Sequence, residues 1–168
     1  LDRTVTSMGG RLLRAWMHYP LIQVDAIGAR QEAIACFRQH EAIRAQLRQE
    51  LEEVYDLERL NSKVAMGSAS PRDLAGLRRS FQSLPKIKHL MSYLEDRTLS
   101  ELTGRLDSLE DLAGLLQEAL IDNPPLGLTE GGVIRPGYNE ELDQLLSLSR
   151  DAKKWIAQLE GDERQKTG

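Results

Sequence analysis

Three observations predict an all-α fold for this chain. Apolar residues recur at three- and four-residue steps almost from end to end, helix-capping residues punctuate those stretches, and no strand-rich segment or internal repeat stands out. The architecture expected is a multi-helix bundle with a short irregular or extended Pro-Gly loop and a long C-terminal helix. Residues 1–138 are read as the bundle, including a loop at 122–138, and residues 139–168 as the long helix.

The elements follow in order. Thr6 can cap a helix carrying Leu12, Leu13, Trp16 and Met17, which Pro20 ends. Asp25 is expected to cap the next, with Ile27, Ile34 and Phe37 close to one stripe. A third starts near His40 and sets Ile43, Leu47, Leu51 and Val54 on one face. It is expected to run on through Leu57, Leu60 and Val64 until Gly67, a C-terminal cap. Ser70-Pro71-Arg72-Asp73 is the clearest helix start: a hydroxyl for the orphan amides, a proline suited to the first position, and a carboxylate at the positive dipole end. Leu74, Leu77, Phe81 and Leu84 form its buried stripe. Pro85 is expected to break it and begin a short helix with Ile87, Leu90, Met91 and Leu94. An amphipathic stretch from Leu99 to Leu106 precedes a cap at Asp107 or Ser108 and a helix through Leu120 and Ile121. The segment DNPPLGLTEGGVIRPGY (122–138) holds three prolines and four glycines, too many for a helix, and suggests an ordered loop with a short extended pair around Gly132–Ile134. Asn139 caps the last helix.

That last helix carries the most physical information. Leu142, Leu145, Ser149, Ala152, Ile156 and Leu159 follow a 3-4-3-4-3 spacing, the seam of a coiled-coil-like helix pair. Ser149 and Ala152 are small enough to admit a close backbone, while Leu146, Leu148 and Trp155 broaden the apolar surface. A helix of about 28 residues reaches roughly 40 Å, longer than a compact domain of this size needs.

Composition narrows the function classes. The 168 residues are 40% hydrophobic and 29% charged, with a formal charge of −4, which describes a globular chain. No apolar run approaches the roughly 20 residues of a membrane span. A lone cysteine, Cys36, excludes an internal disulfide framework and a four-cysteine zinc site, and points to a reducing, cytoplasmic setting. Residues 1–90 carry 14 Lys/Arg against 10 Asp/Glu, and residues 91–168 carry 8 against 16, so the acidic half would repel phosphate. The opening on Leu1 and the charged ending at Gly168 read as a piece of a longer protein.

Candidate chemistry is sparse. Cys36 and His40 are four apart, but no third ligand or orienting carboxylate accompanies them, which leaves a buried thiol and a helix-end histidine. His18 and His89 have no metal-ligand spacing around them. Gly9-Gly10 and Gly131-Gly132 match no phosphate-binding fingerprint. Arg78, Arg79, Lys86 and Lys88 form the densest basic cluster and are the candidate for weak DNA contact. Phe81 falls on the buried stripe, however, so a solvated helix face accounts for them better. No catalytic, cofactor or metal residues are expected.

Four segments together bear a resemblance. EGGVIRPGYNEELDQL (130–145) is similar to a signature of the core domain in the bacterial mismatch-repair MutS family. So are LDRTVTSMGGRLLRAWMHYPL (1–21) and DLERLNSKVAMGSASPRDLAGLRRSF (56–81), and DAKKWIAQLEGDERQKTG (151–168) fits the same register. The chain departs at Ser7, where the family usually has proline, and at Gly161, where a non-glycine residue is common. The resemblance implies a non-catalytic first stretch of the helical core, or lever, which couples an ATPase to a DNA-gripping clamp inserted beyond Gly168. It implies a parent that recognises mismatched DNA, binds ATP and Mg in an absent P-loop domain, forms MutS dimers, and works with a MutL-type repair partner and with its own remaining domains. The mismatch reader and the Walker motif of that parent are not in this sequence. Within that frame, Leu142, Leu145, Ser149, Ala152, Ile156 and Leu159 are the candidate strut-packing residues. The alternative is a DNA-binding helical module that uses the basic cluster at 78–88.

Overall fold

The computed structural model describes residues 2–167. Leu1 and Gly168, the ends from which a longer parent and the approach to a clamp are read, lie outside the described residues. Eight α-helices are found among the described residues: α1 (Ser7–His18), α2 (Val24–Gln39), α3 (Glu41–Glu52), α4 (Leu57–Ala65), α5 (Pro71–Met91), α6 (Arg97–Arg105), α7 (Glu110–Ala119) and α8 (Glu140–Thr167), with one 3-10 turn at Leu128–Glu130. The all-α expectation holds. The chain divides into two compact units, residues 1–133 and 134–168.

In the first unit α5 is central, packed by α7, α3, α4 and α6, while α2 lies against α6 and α3. The core gathers Ala33, Cys36, Leu47, Val54, Ile87, Leu94 and Leu99 from four of these helices and their connections. Helix starts are well satisfied. Gly9 N donates to Thr6 Oγ1 at 3.0 Å, and Ser70 and Asp73 form a reciprocal capping box. Lys63 Nζ donates to both Asp73 oxygens at 2.8 and 2.9 Å. Through these bonds, led by that from Lys63, the Asp73 carboxyl is lowered to about 2. Gly67 closes α4 in the left-handed region (φ 65°), with its own N–H bonded to Val64 O and that of Ser68 to Lys63 O.

Four local expectations are corrected. The third helix does not run through to Gly67: α3 ends at Glu52, and Asp56 caps a separate α4 by accepting from Arg59 N at 3.3 Å. The break buries Val54 and lets Tyr55 N donate to Ser80 Oγ at 2.9 Å, while Arg11 grips Asp56 through two bonds of 2.7 Å. That grip, led by the side-chain bonds from Arg11, lowers the Asp56 carboxyl to about 2. Pro85 does not break α5, which continues to Met91. Leu84 and Ile87, both buried, anchor the helix on either side, so core packing outweighs the roughly 3 kcal/mol that an interior proline costs. Asp25 lies in the first turn of α2, whose N-cap residue is Gln23. The N-cap of α7 is Leu109, at φ 49°, and Asp107 Oδ1 accepts the Leu109 N–H at 3.0 Å to hold that turn.

The loop after α7 keeps one extended contact, Ile121 N to Val133 O at 3.1 Å, consistent with the short pairing expected there. In the second unit Asn139 caps α8, its Oδ1 accepting from Leu142 N at 2.8 Å, and Asp143 Oδ2 accepts from Gly137 N at 2.7 Å. No helix of the described residues is long and apolar enough to cross a membrane.

Candidate functional site

The first candidate is the seam on α8. Alternating three- and four-residue steps keep the six seam residues on one side of the helix, with Asn139, Glu140, Glu141 and Asp143 favouring its N-terminus. Leu145, Ile156 and Leu159 are 57%, 57% and 45% exposed. Ser149 and Ala152 are exposed as well, and Leu142 is half-buried. Leu146, Leu148 and Trp155 extend the same apolar surface into solvent. At the start of the helix, Leu142 and Leu145 line a hollow of about 410 Å³ with Ile134, Tyr138, Asn139 and Glu141. Gly161 does not interrupt α8, and i,i+3 or i,i+4 pairs such as Arg164–Glu160 (2.7 Å) and Lys166–Glu163 (3.0 Å) support its last turns. Chemically, the face offers apolar surface and two small residues to another helix and nothing to a reacting substrate.

The basic cluster does not form one patch. Arg78 is 4% exposed, and its guanidinium donates to three carbonyls, Leu120 O and Ile121 O at 3.2 Å and Asp122 O at 2.9 Å. The expectation that Arg78 faces solvent, or contacts DNA, is therefore corrected: it clamps the end of α7 to α5. Arg79 and Lys86 are exposed on one side of α5, where Lys86 Nζ lies 3.5 Å from Glu50 Oε1. Lys88 is half-buried and, nine residues from Arg79, sits about 180° around the helix from it. Arg79 lines a cleft of about 320 Å³ with Tyr55, Arg72, Asn123 and Pro124. Phe81 is half-buried rather than enclosed.

The remaining candidates resolve into structural roles. Cys36 is buried, and burial pushes its thiol up, away from the reactive thiolate. His40 Nδ1 lies 2.9 Å from Cys36 O and 3.7 Å from its sulfur, at the junction of α2 and α3. His89 Nε2 meets Tyr93 Oη at 2.9 Å. Gly9 and Gly10 lie inside α1, where added side chains would press on Thr6 and Thr4. No group of three or more His, Cys, Asp or Glu among the described residues could hold a metal ion.

Sequence reasoning missed Gly76, Ser80 and Ser83, small residues beside the leucine stripe that let Tyr55 and Leu60 close on α5. Ser80 is fully buried, donating to Gly76 O at 2.8 Å while accepting from Tyr55 N. Their spacing at three- and four-residue steps beside the leucine stripe was the available signal, for it marks a buried face wider than one stripe.

The comparisons with known proteins agree with one another. The family model described as MutS domain III matches residues 1–162. The DNA mismatch repair protein MutS of Bacillus subtilis is 46% identical over 168 residues, which is 100% of this chain and 20% of that protein. Those of Alkaliphilus oremlandii and Symbiobacterium thermophilum are 44% and 45% identical, again over all of this chain and 19% of each relative. The chain thus spans about a fifth of the length of the curated relatives it matches.

Proposed function

The chain belongs to the MutS domain III family, and from that premise we propose that it is the core, or lever, segment of a mismatch-repair ATPase. In this reading the segment performs no catalysis. ATP and Mg bind in parts of the parent outside this chain, mismatched DNA is gripped by a clamp reached through α8, and the parent dimerises, works with a MutL-type protein and acts in the cytoplasm.

The observation that carries the reading is the exposed seam of α8. A 28-residue helix reaches about 42 Å, and its leucines face solvent along most of that length. Such a helix suits a strut held by returning helices of the parent, because packed helices move as rigid bodies and carry a hinge motion over distance. Leu142, Leu145, Ile156 and Leu159 would hold the strut to those partners, with Ser149 and Ala152 permitting close approach. The DNA-module alternative loses support from the inward turn of Arg78 and the opposed faces of Arg79 and Lys88.

The test is Leu145→Asp in the full-length parent. Nucleotide-dependent change in DNA affinity should fall at least several-fold, while ATP hydrolysis without DNA stays close to that of the unsubstituted protein. Intact coupling in a folded variant would overturn the lever role.

A further inference from the structure

A second feature lies in the first unit. Between α2, α3 and α5 runs a groove of about 380 Å³ with a floor of Ile34, Phe37, Leu47, Leu51, Ile87 and Met91. Leu47 and Ile87 belong to the core beneath it, whereas Ile34 is 53% exposed, so apolar surface continues from the interior to the rim. Arg38, Arg44 and Arg48 stand around that floor. Arg44 is partly neutralised, with Glu41 at 3.4 Å, and it also donates to Phe37 O at 3.3 Å. Arg48 donates to Arg3 O at 3.1 Å, which leaves its charge unbalanced. Neither Arg38 nor Arg48 has an ion pair among the described residues, and both are exposed.

We propose that this groove docks an acidic amphipathic helix of a partner protein, with leucine-type side chains on the floor and carboxylates against Arg38 and Arg48. The pattern fits helix-in-groove recognition, in which apolar anchors three to four residues apart supply affinity and flanking charges set register and partner choice. Arginine suits the rim because its planar fork holds a carboxylate through two parallel bonds. A nucleic-acid backbone fits less well. It offers no apolar groups to the floor, and the one aromatic there, Phe37, is half-buried and presents little face for base stacking.

The experiment uses the 168-residue chain and three fluorescein-labelled helical peptides, read by anisotropy. One alternates leucine anchors with glutamates, one replaces the glutamates with lysines, and one keeps the glutamates but replaces the leucines with serines. The first should bind with a Kd on the order of tens of micromolar, and the other two at least tenfold more weakly. Arg38→Glu/Arg48→Glu should weaken the first peptide at least tenfold, with unchanged far-UV circular dichroism. Ile34→Ser, a change at an exposed position, tests the floor without risking the fold and should weaken it as well. Equal binding of the glutamate and lysine peptides, no binding near millimolar protein, or indifference to both variants would overturn the proposal. So would duplex DNA binding, or self-association in sedimentation, that the arginine substitutions abolish, since the occupant would then be nucleic acid or a second copy.

Discussion

Helices α5 and α8 are the two longest among the described residues, 21 and 28 residues, and both carry a stripe of mostly apolar residues at three- and four-residue steps. They meet opposite fates. On α5 the residues Gly76, Leu77, Arg78, Ser80, Ser83, Leu84 and Ile87 are all buried, whereas on α8 Leu145, Leu148, Trp155 and Ile156 are 57%, 66%, 64% and 57% exposed. Periodicity thus identifies a face that wants a neighbour, and the rest of the helix decides whether one is present. α5 has small residues beside its leucines, which widen its buried face, so several helices close on it. α8 has charged residues around its seam and one apolar side to offer. A burying helix and a waiting helix share a pattern but differ in what surrounds it.

The largest test of that contrast pairs two leucines. Leu84, on α5, is 7% exposed, so Leu84→Ala should cost about 3 kcal/mol, from lost apolar burial plus the cavity left behind. Leu145→Ala in the same chain should change stability by less than about 0.5 kcal/mol. Urea unfolding followed by circular dichroism checks both. A comparable loss at Leu145 would mean that the α8 face is already covered in the isolated chain, and would remove the contrast.

Next in size is Arg78. Its three carbonyl bonds lie in a setting only 4% exposed, so Arg78→Met keeps the bulk of the side chain but removes all three bonds. The expected loss is about 2 kcal/mol, in the range for losing charge-assisted bonds in a buried setting. Arg79→Met, a neighbouring change at an exposed position, should be near neutral. Equal effects at the two positions would return Arg78 to the surface cluster.

The sequence carried much of this and withheld some of it for physical reasons. Helix starts were legible at Thr6, Ser70 and Asn139, where a side chain performs the capping, because such bonds are local, but the equally local caps Asp56 and Asp96 were passed over. The closing glycine of α4 was legible as well. The other failures needed tertiary information. Pro85 reads as a breaker until Leu84 and Ile87 are seen to be held in the core, and the break after α3 is fixed by contacts of Tyr55 with Ser80 and of Asp56 with Arg11. Arg78 looked like part of a basic run because its acceptors lie 42 to 44 residues away. The candidate seam was visible as a pattern, but its exposure depends on which helices lie beside it.

A smaller effect is a pH dependence carried by the first unit. The folded Asp73 carboxyl titrates at about 2, chiefly through its bonds from Lys63 and Ser70, whereas an unfolded aspartate titrates near 3.9. Because the folded value is the lower, the stabilisation is fully present above about pH 4 and is lost as pH falls through about 2. Asp73→Asn should therefore cost about 1 kcal/mol at neutral pH and flatten the acid limb of the stability curve. Asp56 adds to the same limb through Arg11, but that pair is more exposed, so its share should shrink as salt is raised. An acid limb of unchanged slope in Asp73→Asn would show that another carboxylate carries it.

The smallest test lies at Gly161 of α8. At Gly161 an added Cβ would meet nothing within 4 Å, and the helix continues through it to Thr167. With no packing to gain or lose, Gly161→Ala isolates intrinsic propensity, worth about 1 kcal/mol to an interior helical position. Far-UV circular dichroism should show more helix, while the urea midpoint of the packed core stays in place, since no buried contact changes. If the midpoint rises with the helicity, the end of α8 and the core unfold as one cooperative body, and the waiting helix is already engaged. If neither moves, the final turns are held by their Arg164–Glu160 and Lys166–Glu163 pairs despite the glycine. In that case Gly161 costs the helix little of its stiffness.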